Sequence, residues 1–236
     1  HPTGLRLSPG EFAGLIPDRA WKRRYYAHAA PYMQIWYPIE TLDVAIGQGA
    51  VLATPLQMAY LYAAIANGGT FYRPYIVDSV VSPAGKVILQ NKPVATGHIP
   101  WSPATRQVVY EGLQSVPTQG TAAGVFRDFP IPVSGKTGTA QISALTKDTH
   151  AWFVGFAPSD HPQIVVAAVI ERGGEGGASA AAVVRKVMAA YFGLSHPLPQ
   201  PPFRVAAGAG SPGSPGRSSA TPSPVTNPAP AGRSAP

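Results

Sequence analysis

The sequence contains no cysteine, and this absence excludes two kinds of site. Without thiols, the chain can form neither disulfide bonds nor thiolate zinc centres. Histidine does not replace them. None of the six histidines stands four residues from another on a helical pattern, and none lies in an H-E-x-x-H frame. We therefore expect no metal site. The lack of cysteine does not decide the compartment, since it suits an extracytoplasmic bacterial protein as well as a cytoplasmic one.

Long apolar runs are also missing. No stretch approaches the roughly 18 uninterrupted apolar residues of a membrane-spanning helix, so none is expected in this sequence. The chain opens with HPTGLRLSPGEFAGLIP, which is rich in glycine and proline. It has neither an initiating methionine nor a signal peptide. We interpret the sequence as a fragment whose upstream half is missing.

Clustered charge is scarce. The formal net charge is +7, and three of the basic residues lie close to the C-terminus, at Arg204, Arg217 and Arg233. Basic residues meet aromatic ones only in WKRRYY, residues 21–26. A nucleic-acid groove needs a larger basic surface with interleaved aromatics, so we expect no nucleic-acid partner. A solvated face, or a patch near an anionic surface, explains this run better.

The composition changes at Pro197. From there to residue 236 the chain has no acidic residue, almost no large apolar residue and no periodicity. Such a stretch cannot bury enough apolar surface to offset the conformational entropy that folding would cost it. We therefore predict a disordered tail over residues 197–236 and a globular part over residues 1–196.

Helical patterns precede strand patterns along the globular part. TPLQMAYLYAAIANGG, residues 54–69, predicts a helix capped by Thr54, with Pro55 in its first turn. YIVDSVV and KVILQ, joined by the turn SPAG, predict a hairpin. SPATRQVVYEGLQSV, residues 102–116, predicts a second helix with a Ser-Pro start.

Three β-rich runs then follow in sequence: IPVSGKTGTAQ, HAWFVGFAP and QIVVAAVIER. The short connection SDHP between the last two favours antiparallel neighbours. A final helix, ASAAAVVRKVMAAYF, is expected to end at Gly193. This order predicts an α+β fold in which an antiparallel sheet is flanked by helices.

The most informative stretch is PVSGKTGTAQ, residues 132–141. SGKT matches the end of a phosphate-binding loop, but Pro130 stands where that motif needs its first glycine. The residues after the lysine also continue as a strand, whereas a phosphate loop opens a helix. We therefore reject a nucleotide site. A tight turn with a surface lysine would be the default interpretation of an isolated K-T-G triplet.

This triplet is accompanied by other recognisable stretches. GLIPDRAW, DVAIGQG, TPLQMAYLYAAIANGG and TQGTA come before it, and AWFVGFAP comes after. Together they resemble the transpeptidase domain of penicillin-binding proteins, whose signatures include K-T-G, and most of all the class B, elongation-type branch called penicillin-binding protein 2. The resemblance covers roughly residues 3–193. It implies the serine β-lactamase-like fold, incomplete at its N-terminus.

Two motifs of that family are absent. No serine is followed three positions later by lysine, and none is followed two positions later by asparagine. The S-x-x-K nucleophile and the S-x-N motif would therefore belong to the missing upstream half. We expect the chain to be inactive alone.

The resemblance implies a serine D,D-transpeptidase that cross-links peptidoglycan stem peptides through an acyl-enzyme, binds β-lactams and uses no metal or organic cofactor. Lys136 would supply a positive potential, and the hydroxyls of Thr137 and Thr139 would donate to the terminal carboxylate of D-Ala-D-Ala. Gly138 would leave room for the substrate strand. The backbone N–H of Thr139 would form half of the oxyanion hole.

Alternatives remain open. The chain could belong to a non-catalytic binding or scaffold module of cell-wall synthesis, or to a D,D-carboxypeptidase or β-lactamase in which water replaces the acceptor amine. The resemblance further implies a parent held in the bacterial inner membrane by an upstream anchor, with its catalytic domain on the periplasmic side. A SEDS-type glycan polymerase is the partner implied.

Two glycine-rich stretches border these motifs. GQG, residues 47–49, predicts a tight backbone approach before the helix at Thr54, with the alternative that Gln48 borders the cleft. RGGEGG, residues 172–177, is interpreted as a flexible loop.

Three residues of the following strand receive structural interpretations. We expect Trp152 and Phe153 to pack on opposite faces of the sheet, since successive side chains of a strand alternate. His150 is interpreted as a polar strand-edge residue and not as a general base.

Overall fold

Most of the helices precede the main antiparallel sheet along the described part of the chain, and one helix follows it. The computed structural model describes residues 2–5, 10–142 and 148–194. The predicted tail, residues 197–236, lies outside the described residues and stays a prediction. The helices are α1 (Arg19–Tyr25), a 3₁₀ turn (Pro31–Gln34), α2 (Pro38–Ala45), α3 (Pro55–Ala66), α4 (Pro103–Thr118), α5 (Ala123–Phe126) and α6 (Ser179–Tyr191). The strands are β1 (Thr70–Tyr72), β2 (Ser79–Val81), β3 (Val87–Gln90), β4 (Ala95–His98), β5 (Ser134–Gln141), β6 (Thr149–Ala157) and β7 (Ile164–Ile170).

The predicted helix at residue 54 forms for the reasons its sequence suggests. The Thr54 hydroxyl accepts the Gln57 N–H at 3.1 Å, and the Gln57 carboxamide accepts the Thr54 N–H at 2.9 Å. This reciprocal capping box satisfies two backbone donors, and removing such a cap typically costs about 1 kcal/mol. Asn67 then ends α3, because its side chain bonds the backbone of Thr70.

Two small antiparallel pairs lie outside the main sheet. The predicted hairpin forms as β2 and β3, closed by a turn in which the Gly85 N–H donates to the Ser82 carbonyl at 2.9 Å. Its first strand begins at Ser79, later than the pattern predicted. The β2–β3 backbone pairing ends there because the Asn91 side chain, and not a backbone N–H, donates to the Val77 carbonyl. The pairing of β1 with β4 was not predicted.

The main sheet has the order β5-β6-β7, and both of its strand pairs are antiparallel. Phe153, at the centre of β6, is fully buried in a cluster that includes Val184 and Met188 of α6. On the opposite face, Phe156 packs in a second cluster with Tyr62 of α3. Helices therefore cover both faces of the sheet, and this confirms the predicted α+β class.

The face alternation along β6 follows the prediction for its aromatic pair. Phe153 has no solvent exposure, whereas Trp152 is half-buried on the opposite side of the strand. Within the described residues β6 is the central strand and β5 is an edge strand, hydrogen-bonded to β6 alone. The K-T-G triplet thus lies on a strand with one unpaired edge.

Candidate active site

The outer edge of β5 carries the backbone groups of alternate residues. An antiparallel strand directs the N–H and the C=O of one residue to the same side. Ile142 continues β5 and donates its N–H to the Asp148 carbonyl at 3.2 Å, on the side of β6. The Thr139 carbonyl instead accepts from Gln48 Nε2 at 3.0 Å, on the other side. The N–H of Thr139 therefore also lies on the outer edge.

Lys136 places a cation beside this edge. Its side chain is exposed, and its Nζ atom donates to the Thr137 carbonyl at 2.8 Å. The ion pairs among the described residues join Lys22 to Glu40 and Arg172 to Asp148, so none of them involves Lys136. An ammonium without a carboxylate partner leaves a positive potential for an anionic ligand.

The hydroxyl of Thr137 is positioned by a second threonine. Thr121 Oγ1 and Thr137 Oγ1 lie 2.7 Å apart, and either can be the donor. A hydroxyl has one hydrogen to donate and two lone pairs to accept with. If Thr121 donates, the hydrogen of Thr137 stays available for a ligand at the same edge. Thr139, two residues further on, is exposed.

The glycines at this point allow the backbone segments to pack closely. A Cβ on Gly138 would lie only 3.1 Å from the Cβ of Trp152, its cross-strand partner. A Cβ on Gly176 would overlap the carbonyl oxygens of both Gly138 and Trp152. The stretch 172–177, predicted to be a flexible loop, therefore packs directly onto the β5–β6 pair. Glycine is required there because no side chain fits.

This stretch is also hydrogen-bonded to β6. The Thr149 hydroxyl donates to the Gly174 carbonyl at 3.0 Å, and the Gly174 N–H donates to the Thr149 carbonyl at 3.3 Å. His150 accepts the N–H of Arg172 on its Nδ1 atom at 3.3 Å. His150 therefore has a hydrogen-bond partner in the stretch that packs on β6.

The structure supports both interpretations of GQG. Gly47 and Gly49 have φ angles of 77° and 68°, a left-handed region that favours glycine. Gln48 also reaches β5 through its bond to Thr139, as the alternative interpretation had it.

Among the described residues no group of three or more histidine, cysteine, aspartate or glutamate side chains could hold a metal ion.

A family model described as the penicillin binding protein transpeptidase domain matches residues 1–189. The chain belongs to this family. Its membership confirms the resemblance carried by the K-T-G triplet and its companion stretches. The K-T-G triplet, Lys136 to Gly138, lies on β5.

Relatives of this family member are known by sequence and by structure. Peptidoglycan D,D-transpeptidase MrdA of Salmonella typhimurium (strain SL1344) is 31% identical in an alignment of 219 residues that covers 85% of this chain and 33% of the relative. The chain thus spans about a third of that relative's length. Among the residues that the structure describes, no helix is long and apolar enough to cross a membrane.

Two solved structures share the fold. One belongs to a study of the structural coordination of polymerization and crosslinking by a peptidoglycan synthase complex. It matches with 42% identity and a TM-score of 0.70, over 84% of this chain and 32% of the other. The second is PBP2 of Pseudomonas aeruginosa in complex with WCK 5153, with 39% identity and a TM-score of 0.63, over 77% of this chain and 39% of the other. These matches confirm the penicillin-binding protein 2 branch and the fold class.

Sequence reasoning did not assign a role to Thr121, although it quoted TQGTA as a companion stretch. The contact with Thr137 joins residues 16 positions apart across the turn before α5. No local pattern announces it. The only sequence signal is the polar stretch TQGTA, whose second threonine is Thr121.

Proposed function

We propose that the chain is the part of a serine peptidoglycan D,D-transpeptidase that forms the K-T-G wall of its active site. The observation that carries the proposal is the outer edge of β5, where an uncompensated cation lies beside an unpaired strand. A stem peptide ending in D-Ala-D-Ala has the matching chemistry, namely an extended backbone and a terminal carboxylate. It would add to β5 as an antiparallel strand.

The terminal carboxylate would bind at Lys136. The hydroxyls of Thr137 and Thr139 would donate to it, and hydrogen bonds to a charged acceptor are about twice as strong as neutral ones. Thr121 supports this role because it shares a hydrogen bond with Thr137 and can hold that hydroxyl in place. Gly138 would contribute by lacking a side chain, which lets β5 lie close to Trp152 and Gly176.

The N–H of Thr139 would form half of the oxyanion hole. The serine of the upstream S-x-x-K motif attacks the carbonyl carbon between the two D-alanines, and negative charge develops on that oxygen. The outward-facing N–H of Thr139 and the amide of the serine would stabilise it. One such donor is worth about 3 kcal/mol of the barrier. Expulsion of the terminal D-alanine leaves the acyl-enzyme, and an acceptor amine of a second stem peptide then forms the cross-link.

The family supports further parts of the proposal. β-Lactams would acylate the same serine, since the family is named for binding penicillin. A glycan polymerase is the proposed partner, because a similar structure comes from a study of polymerization and crosslinking in a peptidoglycan synthase complex. We place the parent in the inner membrane with its catalytic domain outside the cytoplasm.

Acylation of the full-length parent by fluorescent penicillin tests the role of β5. Lys136→Ala should lower the second-order acylation rate more than a hundredfold, because the cation acts on every charged group in the site. Lys86→Ala is the matched control, since Lys86 is exposed in the β2–β3 turn. It should acylate at the wild-type rate. Equal rates for all three proteins, with equal thermal midpoints, would refute the proposal.

Product analysis separates transpeptidation from its alternatives. With stem pentapeptide and an acceptor amine, the parent should form a cross-linked dimer. Tetrapeptide without dimer would indicate a carboxypeptidase. An intact pentapeptide with stable penicillin binding, or with none, would favour a binding or scaffold module.

A further inference from the structure

One hydrogen bond at the outer edge of β5 comes from a distant part of the chain. Gln48 Nε2 donates to the Thr139 carbonyl at 3.0 Å, although the two residues are 91 positions apart. The transpeptidase reaction proposed above does not use Gln48. Its contact nevertheless engages the backbone residue whose N–H would form the oxyanion hole.

The main chain of Gln48 is held at the end of α2. Its N–H donates to the Asp43 carbonyl at 2.8 Å, and the Gly47 N–H donates to the Val44 carbonyl at 3.1 Å. Only the side chain of Gln48 spans the gap to β5. That side chain is half-buried and its bond to Thr139 is exposed, so the carboxamide can leave without disturbing the backbone.

The Thr139 carbonyl is the group that an added strand would use. In an antiparallel hydrogen-bonded pair, two residues exchange both of their N–H···O bonds. If the scissile carbonyl accepts from the Thr139 N–H, the N–H of that same ligand residue faces the Thr139 carbonyl. A glutamine carboxamide is the same kind of donor as a peptide N–H. Gln48 therefore occupies the position of the ligand's amide.

We propose that Gln48 is a specificity-determining residue that holds the Thr139 carbonyl until a ligand with an amide N–H displaces it. The inference rests on the proposed function. A ligand with that N–H exchanges one hydrogen bond for another and must displace Gln48. A ligand without it leaves Gln48 in place and gains nothing at this carbonyl.

The test compares two acylating ligands on the full-length parent. Benzylpenicillin carries an amide N–H beside its β-lactam carbonyl, whereas penicillanic acid has the same ring system with only hydrogen there. Gln48→Met keeps the length of the side chain and removes both donors. The benzylpenicillin-to-penicillanic acid ratio of second-order acylation rates should rise about two- to tenfold, which is the usual net effect of one neutral hydrogen bond.

Two further variants control for structure. Gln48→Asn keeps the amide but is one methylene too short, so it should raise the ratio as methionine does. Gln114→Met, on the exposed face of α4, should leave the ratio unchanged. Loosening of the GQG backbone would change both rates together and would not move the ratio.

The outcomes separate this inference from the function on which it rests. If the wild-type parent is acylated by both ligands and the ratio stays equal or falls in Gln48→Met, this inference alone is wrong. If neither ligand acylates the wild-type parent, the proposed transpeptidase function is wrong and the role of Gln48 fails with it.

Discussion

Replacing Thr137 with valine in the full-length parent removes a single directed donor from β5. Valine keeps the branched shape that suits a strand. The partner of the Thr137 hydroxyl is Thr121 Oγ1, in an exposed contact that water can replace. The variant should therefore fold, and its effect should be confined to ligands that reach this hydroxyl.

The size of the effect follows from the charge on the ligand. A hydrogen bond to a charged acceptor contributes about 1.5–3 kcal/mol, and 1.36 kcal/mol corresponds to about tenfold in rate. We expect Thr137→Val to slow acylation by a carboxylate-bearing β-lactam about ten- to a hundredfold. An ester of the same β-lactam offers no charged acceptor, so its rate should change much less.

The assay is the second-order acylation rate constant for the acid and for its ester. Thr96→Val is the matched control, since it removes an exposed threonine hydroxyl from β4, outside the main sheet. It should leave both rates unchanged. Thermal unfolding of all variants checks that a weakened sheet does not imitate lost binding. Equal slowing of acid and ester by Thr137→Val would refute the carboxylate-binding role.

Three other predictions concern the chain and its stability. The 1–236 chain alone should take no covalent label from fluorescent penicillin, because it lacks the S-x-x-K serine; a heat-sensitive, specific label would show an unrecognised nucleophile. Limited proteolysis should cut first within residues 197–236, and deleting that segment from the parent should leave its melting temperature unchanged; a fall of several degrees would contradict a disordered tail. Glu40→Gln should destabilise the chain by about 1–3 kcal/mol at neutral pH, because Glu40 accepts Lys22 Nζ at 2.6 Å. Burial raises the pKa of Glu40, but the hydrogen bond from Lys22, the hydrogen bond from the Tyr37 N–H and the charge of Lys22 together outweigh it and lower that pKa. The destabilisation should therefore be fully present at neutral pH and should disappear as the pH falls through the lowered pKa of Glu40.

The sequence determined the local elements. α3 follows from Thr54, Pro55 and an apolar stripe, and its capping box joins residues only three positions apart. The strands β5, β6 and β7 follow from short β-rich runs whose connections are too short for crossovers. Such patterns are legible because the interacting groups are neighbours along the chain. The K-T-G triplet and its companion stretches were likewise enough to indicate the family.

Pairings between distant segments could not be derived in this way. β4 reads ATGH, which has little strand propensity, and it is a strand because β1 offers its edge. The stretch 172–177 has the composition of a mobile loop, yet it packs on Gly138 because glycine alone fits against two backbone carbonyls. The composition of a segment indicates its own conformational preference, but it does not show which other segments pack against it.

The same division holds within the candidate site. The sequence by itself determined which residues would carry the cation, the hydroxyls and the small residue, from Lys136 to Thr139. Only the tertiary structure decided that β5 is an edge strand and that Thr139 directs its N–H and carbonyl outward. It also brought Gln48 and Thr121 to that edge. The physical reason is that these contacts depend on how α2, the turn before α5 and the sheet pack together, which no single stretch of sequence encodes.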